Sequence, residues 1–323
     1  MPCTRIARRT LAGLAAAALL TASHAADNWP AKPIRIIVPT PPAGPSDIAV
    51  RPLAAAVQKA LGQAVIVENR AGANGNIGAA EVARAPADGY TWLWAMDPVL
   101  TVNKHIYKNI GYSSDAIVVL NAAARFSQTL ICNPGLGFKS VKDMLEAAKS
   151  RELTYATGGA GSPGHLVMES LLSSTGVKMV HVPYKGPAPA MQDLMGGQVN
   201  CGFLAAPTVL PQIQSGRVTA LATSGRTRSP LLPTLPTIAE SGYPDFDGTY
   251  WLLLAAPKGV PAEIQKRFLA AMDAAIRSPQ QQERVKAVDI EMVGSSPDQA
   301  QARVREISDK WEALTRKINL KPD

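Results

Sequence analysis

Aromatic residues make up only 5% of this 323-residue chain, which holds just three Cys and four His. These scarcities exclude several classes of protein. The cysteines stand at 3, 132 and 201, so there is no C-x-x-C pair for a zinc or redox site. No two His are spaced as metal ligands one helical turn apart, and no metal or cofactor is expected. The chain lacks a G-x-x-x-x-G-K-[ST] phosphate loop and a G-x-S-x-G nucleophile elbow. It has no block of five or more basic residues, so nucleic acid is not an expected partner. Past the N-terminus no apolar run is long enough to cross a bilayer. What the chain does have is 46% hydrophobic residues, 25 Gly and 26 Pro. That mixture suits an α/β protein rich in turns, and the length suits about two domains.

The N-terminus reads as a targeting segment. Arg5, Arg8 and Arg9 form a basic region, and Leu11 to Leu20 is an apolar stretch too short to span a membrane. Ser23, His24 and Ala25 then supply a small-residue site, with cleavage expected after Ala25. Residues 1–25 are therefore expected to be a cleaved signal peptide, and the mature chain is expected in the periplasm. The pair Arg8-Arg9 leaves both Sec and twin-arginine export open. Of the formal net charge of +8, these three Arg carry three, leaving a mild +5. Cys3 departs with the peptide. Cys132 and Cys201 remain in strand-like segments, and a disulfide or two buried free thiols both fit.

Beyond residue 30 strands and helices alternate. Ile34–Val38 (IRIIV) reads as a buried strand, 48–61 as a helix, 65–68 as a strand, 77–84 as a helix and 91–95 as a strand. The middle repeats this order, with strands near 130–132, 153–156, 179–182, 199–204 and 218–223 and helices between them. A Pro-rich connection over 229–244 leads to one more strand, 251–255. In the last segment Pro261 suits a helix N1 position, and Ile264, Phe268, Met272 and Ile276 recur every four residues. Ser296 and Gln299 form a capping box ahead of a stripe of Val304, Ile307, Trp311, Leu314 and Ile318. These last helices have no sheet of their own and are expected to cover the first one. The expected division is 26–122 for the first part of lobe 1, 123–225 for lobe 2 and 226–323 for the return to lobe 1. Two lobes joined by two crossings make a hinge, where ligand sites concentrate.

Three loops share one design: rich in Gly or Pro, they follow a strand and open a helix. They are 40–47 (TPPAGPSD), 69–78 (NRAGANGNIG) and 157–165 (TGGAGSPGH). The helix that follows each presents unpaired N–H groups, which bind carboxylate or phosphate without a charged side chain. In open parallel sheets such turns lie where ligands bind. Gly159, Gly161 and Gly164 fit G-x-G-x-x-G, yet the acidic residue a dinucleotide site wants about 20 positions on is missing. Ser162 and His165 invite a nucleophile and base reading, but no third orienting group accompanies them, and the chain is not expected to be an enzyme. Ser162 is instead expected to cap the helix that begins at Pro163 and to face the cleft.

Five ordered blocks then carry a family resemblance: KPIRIIVPTPPAGPSD, VIVENRAGANGNIGAAEVARAPADGYT, YATGGAGSPGHL, VPYKGPAPAMQDLMGGQV and LPTLPTIAESGYP. Together they make the chain, from about Trp29 to Pro322, resemble the substrate-binding receptors of tripartite tricarboxylate transporters, the Bug-type family. The resemblance implies a type II periplasmic binding protein fold, with two lobes of mixed sheets joined by crossing hinge strands. It implies a monomer that captures a small carboxylate and hands it to integral-membrane transporter subunits. A receptor that reports its ligand to a sensor kinase is the alternative. Carried over, the ligand loops comprise Thr40, Pro42, Ala43, Gly44, Ser46 and Asp47 in one lobe, then Gly158, Gly161, Ser162 and His165 in the other. The first loop departs from the family's P-F-P-P-G-G-x-x-D: Thr40 replaces an aromatic, Ala43 a glycine, and Pro45 follows Gly44, removing an N–H donor. The segment 115–124 also lacks the family's usual turn, so the lobe crossing is expected to differ.

Overall fold

A computed structural model describes residues 28–318. The expected signal peptide and its cleavage site lie outside the described residues. β1 (Ile34–Val38) is a β-branched run buried at nearly every position. It leads into α1 (Pro45–Leu61), which opens on Pro45 and stops at Gly62, a left-handed residue with φ 67°. β2 (Val65–Asn69), α2 (Asn76–Arg84) and β3 (Thr91–Met96) follow. Two short helical turns, Pro98–Thr101 and Asn103–Ile106, lead to the long β4 (Ile117–Phe126).

The second unit repeats the order. β5 (Gln128–Cys132) precedes α3 (Val141–Ser150), whose Ser140 hydroxyl accepts the Asp143 N–H as an N-cap. Then come β6 (Thr154–Thr157), α4 (Pro163–Thr175), β7 (Val180–Pro183), α5 (Pro187–Met195), β8 (Cys201–Ala205), α6 (Ala206–Gln214) and β9 (Thr219–Thr223). The chain closes with β10 (Tyr250–Pro257), α7 (Ala262–Ile276), α8 (Pro279–Lys286), β11 (Ile290–Met292) and α9 (Pro297–Ile318).

One sheet runs β11-β4-β10-β3-β1-β2 and the other β7-β6-β8-β5-β9. Taken from the edge, β2-β1-β3-β10-β4 matches β7-β6-β8-β5-β9 position for position. In each sheet the fourth strand is antiparallel to both its neighbours. In each it is also the strand that has just arrived from the other sheet: β5 follows β4, and β10 follows β9. Each lobe therefore borrows the strand that follows a crossing, and the two lobes share one winding plan. This is the two-lobed α/β architecture with mixed sheets expected above.

The crossings are tied together by one residue. Ser224 is fully buried. Its hydroxyl accepts the Gln128 N–H and donates to the Gly248 carbonyl, each at 2.9 Å. The Ser224 N–H donates to the Gln128 carbonyl, and the Gly248 N–H to the Ser224 carbonyl. The residue number expected to divide the lobes, 122/123, falls inside β4, which stays in the first sheet through the Phe126–Tyr250 pair. The change of sheet comes at Ser127. Neither β4 nor β11 was expected as a strand.

The C-terminal helices return to the first sheet, where α7 packs on α1 and α9 on β4. Ile264, Phe268, Met272 and Ile276 are all buried, and Phe268 stacks on Trp92 with ring centroids 3.9 Å apart. Pro261 stands one residue ahead of α7, not inside it. The Ser296–Gln299 capping box is made, with the two N–H···O contacts at 3.0 and 3.3 Å. Far along α9, the Lys317 ammonium donates to the Ser173 carbonyl in α4, so this helix touches both lobes. Cys132 and Cys201 stand directly opposite each other on β5 and β8, and they form a disulfide.

Candidate functional site

The loop after β1 is shaped by Asp47. Its carboxylate accepts the Ala43 N–H at 3.0 Å, the Arg51 Nε–H at 3.0 Å and an Asn69 amide hydrogen at 3.0 Å. The same Asn69 amide donates to the Thr40 carbonyl. Burial opposes ionisation of Asp47, but the Arg51, Ala43 and Asn69 donors win and hold its carboxyl below the usual carboxylate range. Asp47 is 5% exposed and its hydrogen bonds are spent on the loop itself. Ala43 is held with φ 64°, and with Pro42 it lies exposed at the loop tip. The first i→i−4 bond of α1 runs from the Ile48 N–H to the Gly44 carbonyl. The Ser46 and Asp47 N–H groups precede it, while Pro45 contributes none.

In the second lobe the loop after β6 turns on Gly159 (φ 137°) and Gly161 (φ 71°), both in the region that favours glycine. The Gly161 N–H donates to His165 Nδ1 at 3.0 Å, and the Ser162 N–H to the Gly159 carbonyl. The His165 ring stacks on His181 with centroids 3.7 Å apart, and Thr157 Oγ1 lies 2.7 Å from His181 Nε2. Burial, helped by the neighbouring His181, pulls the His165 pKa down to about 3. His165 is thus a neutral acceptor holding the loop from behind. The loop 183–187 packs beside it through the Tyr184 N–H to the Thr157 carbonyl and the Gly186 N–H to the Gly158 carbonyl.

Ser162 occupies the N-cap position of α4 as expected, but its hydroxyl makes no cap bond. The turn is instead closed by the Gly161–His165 bond. The Leu166 N–H reaches the Ser162 carbonyl, leaving the Gly164 and His165 N–H groups ahead of the first helical bond. Gly164 packs so closely on β8 that a Cβ there would lie 2.2 Å from the Phe203 carbonyl oxygen. That contact seats the helix end. Ser162 and His165 do not pair as nucleophile and base, since the Ser162 hydroxyl has no partner.

The third loop joins the other two. A Cβ at Gly78 would lie 2.9 Å from Pro39, so the loops of lobe 1 pack directly on each other. Asn74 donates to the Gly161 carbonyl at 3.0 Å, from one lobe to the other. Tyr250 makes a further tie between lobes, its hydroxyl donating to the Pro163 carbonyl at 2.9 Å.

Four buried polar groups in these loops and first helical turns have no partner within the protein: Thr40 Oγ1, Ser46 Oγ, Asn76 Nδ2 and Ser162 Oγ. Most buried polar groups are hydrogen-bonded, and among the described residues these loops and first helical turns hold half of the eight that have no partner. Asn76 and Asn74 went unnoticed in sequence. The glycines of their loop were the only available signal. The one cation in the three loops, Arg70, pairs with Glu68 at 2.8 Å and Glu81 at 3.3 Å. Glu68 and Glu81 also hold Arg35.

Two mixed sheets on one winding plan, each with a glycine- or proline-rich loop that opens a helix, define the type II periplasmic binding protein fold. The family model for the tripartite tricarboxylate transporter family receptor matches residues 49–320, and the chain belongs to that family. Protein BugT of Bordetella pertussis is 35% identical over 95% of this chain and 95% of its own length. The solved structure of R. palustris Rpa4515 with adipate is 32% identical, covers 91% of this chain and 100% of its own, and superposes with a TM-score of 0.84. MatC from Rhodopseudomonas palustris with bound malate is 26% identical, covers 88% and 99%, and gives a TM-score of 0.79.

Proposed function

We propose that this protein is a periplasmic receptor that takes a small organic acid between its lobes and delivers it to membrane subunits of a tripartite tricarboxylate-type transporter. Lobe 1 then comprises the chain to Phe126 and again from Thr249, and lobe 2 the segment between. One observation carries the reading: each lobe offers an open helix N-terminus beside a buried, unpartnered serine hydroxyl, Ser46 in lobe 1 and Ser162 in lobe 2. Neutral donors and helix ends stabilise an anion without a salt bridge. The adipate and malate complexes of Rpa4515 and MatC support a carboxylate as the guest. Thr40, Gly44, Ser46, Gly158, Ser162 and Asn76 are the proposed contacts. Asp47, Gly161 and His165 shape the loops that present them.

A thermal-shift screen of dicarboxylates, hydroxy acids, amino acids and aromatic acids, with adipate and malate included, tests this. A ligand at 100 times its Kd adds about 2.7 kcal/mol to stability. If no acid in the panel shifts melting, the reading fails. With a binder in hand, Ser162→Gly separates the hydroxyl from the helix. Its affinity is expected to fall roughly fivefold, near the net worth of one hydrogen bond, while melting barely moves because no cap bond is lost. Titration calorimetry showing unchanged affinity would remove Ser162 from the site.

The engagement of Arg70 with Glu68 and Glu81 leads to a complementary expectation. Arg70→Ala breaks half-exposed ion pairs worth about 1 kcal/mol or less, and changes affinity by no more than about twofold. Complete loss of binding in a folded Arg70→Ala protein would mean that a salt bridge carries recognition after all.

A further inference from the structure

Asn74 sits in the loop between β2 and α2 with φ 50° and ψ 37°. Asparagine is among the few residues besides glycine that adopt this left-handed conformation readily. Its neighbour in space, Asn103, is fully buried. Asn74 Nδ2 donates to Asn103 Oδ1 at 2.9 Å, while Asn103 Nδ2 donates to the Asn74 carbonyl at 2.9 Å and to Asn76 Oδ1 at 2.8 Å. Asn103 thus fixes both the backbone and the side chain of Asn74. Nδ2 has two hydrogens, and the second goes to the Gly161 carbonyl in the other lobe at 3.0 Å.

The receiving side is equally prepared. Gly161 has φ 71° and its N–H is held by His165, while the Ser162 N–H, in the same peptide unit as the Gly161 carbonyl, donates to the Gly159 carbonyl, so the direction of that carbonyl is set. A Cβ at Gly161 would lie 2.9 Å from Asn74 Nδ2 and 3.0 Å from Ile106 Cδ1. Only glycine lets the two loops approach this closely.

We propose that Asn74, positioned by Asn103, is a latch that closes the cleft onto the Gly161 carbonyl. The inference rests on the two-lobed cleft proposed above, but not on which guest it takes. Both halves are ordered within their own lobes, so joining them freezes little additional motion. Ligand and latch then act on the same open–closed equilibrium, and each favours the state the other needs. One hydrogen bond of this kind shifts that ratio roughly fivefold.

Electron–electron distance measurements test the latch without any ligand. Spin labels go on Lys59→Cys at the end of α1 and Lys178→Cys just before β7. Both positions are exposed, one in each lobe, at the ends of their elements opposite the loops that face the cleft. Two further substitutions are made in this background. Asn74→Gly accepts the left-handed backbone and removes the amide. Asn74→Asp keeps the shape but sets a carboxylate against two acceptor oxygens. The otherwise native labelled protein is expected to show the closed distance, and both variants to deplete it roughly fivefold or more, Asp most strongly. Melting curves confirm that the variants fold. Unchanged distance distributions in folded variants overturn the latch, as does a labelled parent that never shows the closed distance. Titrating the same proteins with adipate and malate separates the two readings. Depleted closure with no acid bound by any form leaves the latch standing and counts against the carboxylate. Acid binding with unchanged distances does the reverse.

Discussion

Removing the Cys132–Cys201 disulfide is expected to lower stability by about 4 kcal/mol, the chain-entropy value for a loop closed across this separation. The bond joins residues 69 apart, and between them lie α3, β6, α4, β7 and α5, most of lobe 2. Without the link the unfolded chain regains the freedom of that whole segment. Both sulfurs are fully buried between adjacent strands, so reductant reaches them only when the lobe opens. Urea unfolding of Cys132→Ala/Cys201→Ala against the native protein, each in oxidising buffer, measures the difference. The loss should fall on lobe 2 and on acid binding with it, because β6 and β8 seat the Gly158–Gly164 turn. A double variant as stable as the native protein would show that the strands alone supply the constraint.

Much of this architecture was legible because it rests on local rules. IRIIV can hardly be anything but a buried strand, and Ser296 with Gln299 announces a helix start whatever lies elsewhere. β4 escaped because both its faces are covered: Asn121 and three alanines fill its centre, all buried, and no alternation of polar and apolar residues survives. Asn121 belongs there only because Asp273 and the Ser295 carbonyl accept its amide hydrogens, partners more than a hundred and fifty residues away. The same holds at the site. Glycine and proline punctuate the three loops visibly, so their positions were readable. Which way His165 turns was not. A polar residue at the third position of a helix reads as solvent-facing until the ring of His181 and the N–H of Gly161 are known to meet it. The amide exchange between Asn74 and Asn103 spans 29 residues and leaves no periodic trace.

The inward turn of His165 brings a pH dependence that sequence did not suggest. His165 titrates near 6.5 when unfolded and near 3 when folded. Between those values the unfolded state holds a proton that the folded state lacks. Stability from this residue is therefore complete above about pH 6.5 and falls as pH drops, by about 1.4 kcal/mol per unit. At pH 5 the loss reaches about 2 kcal/mol. A second buried group opposes it. Asp97, at the end of β3, is fully buried, and burial raises its pKa to about 7 against the pull of the Trp251 N–H that it accepts at 2.7 Å. Between about 3.9 and 7 the folded state holds the Asp97 proton and the unfolded state does not, so this residue adds stability as pH falls. The two slopes have opposite signs over nearly the same window, and the native protein should change little with pH on their account. Single substitutions expose each slope. His165→Asn keeps an acceptor near Nδ1 for the Gly161 N–H and removes the titration. Relative to the native protein, its stability should rise by about 2 kcal/mol between pH 7 and pH 5. Asp97→Asn should move the opposite way over the same interval. Denaturant titrations of the three proteins at several pH values supply the differences, in which titrations common to all three cancel. A His165→Asn difference that stays constant from pH 7 to pH 5 would mean that the imidazole gains a proton as readily in the fold as out of it, and that it does not hold Gly161 as a neutral acceptor.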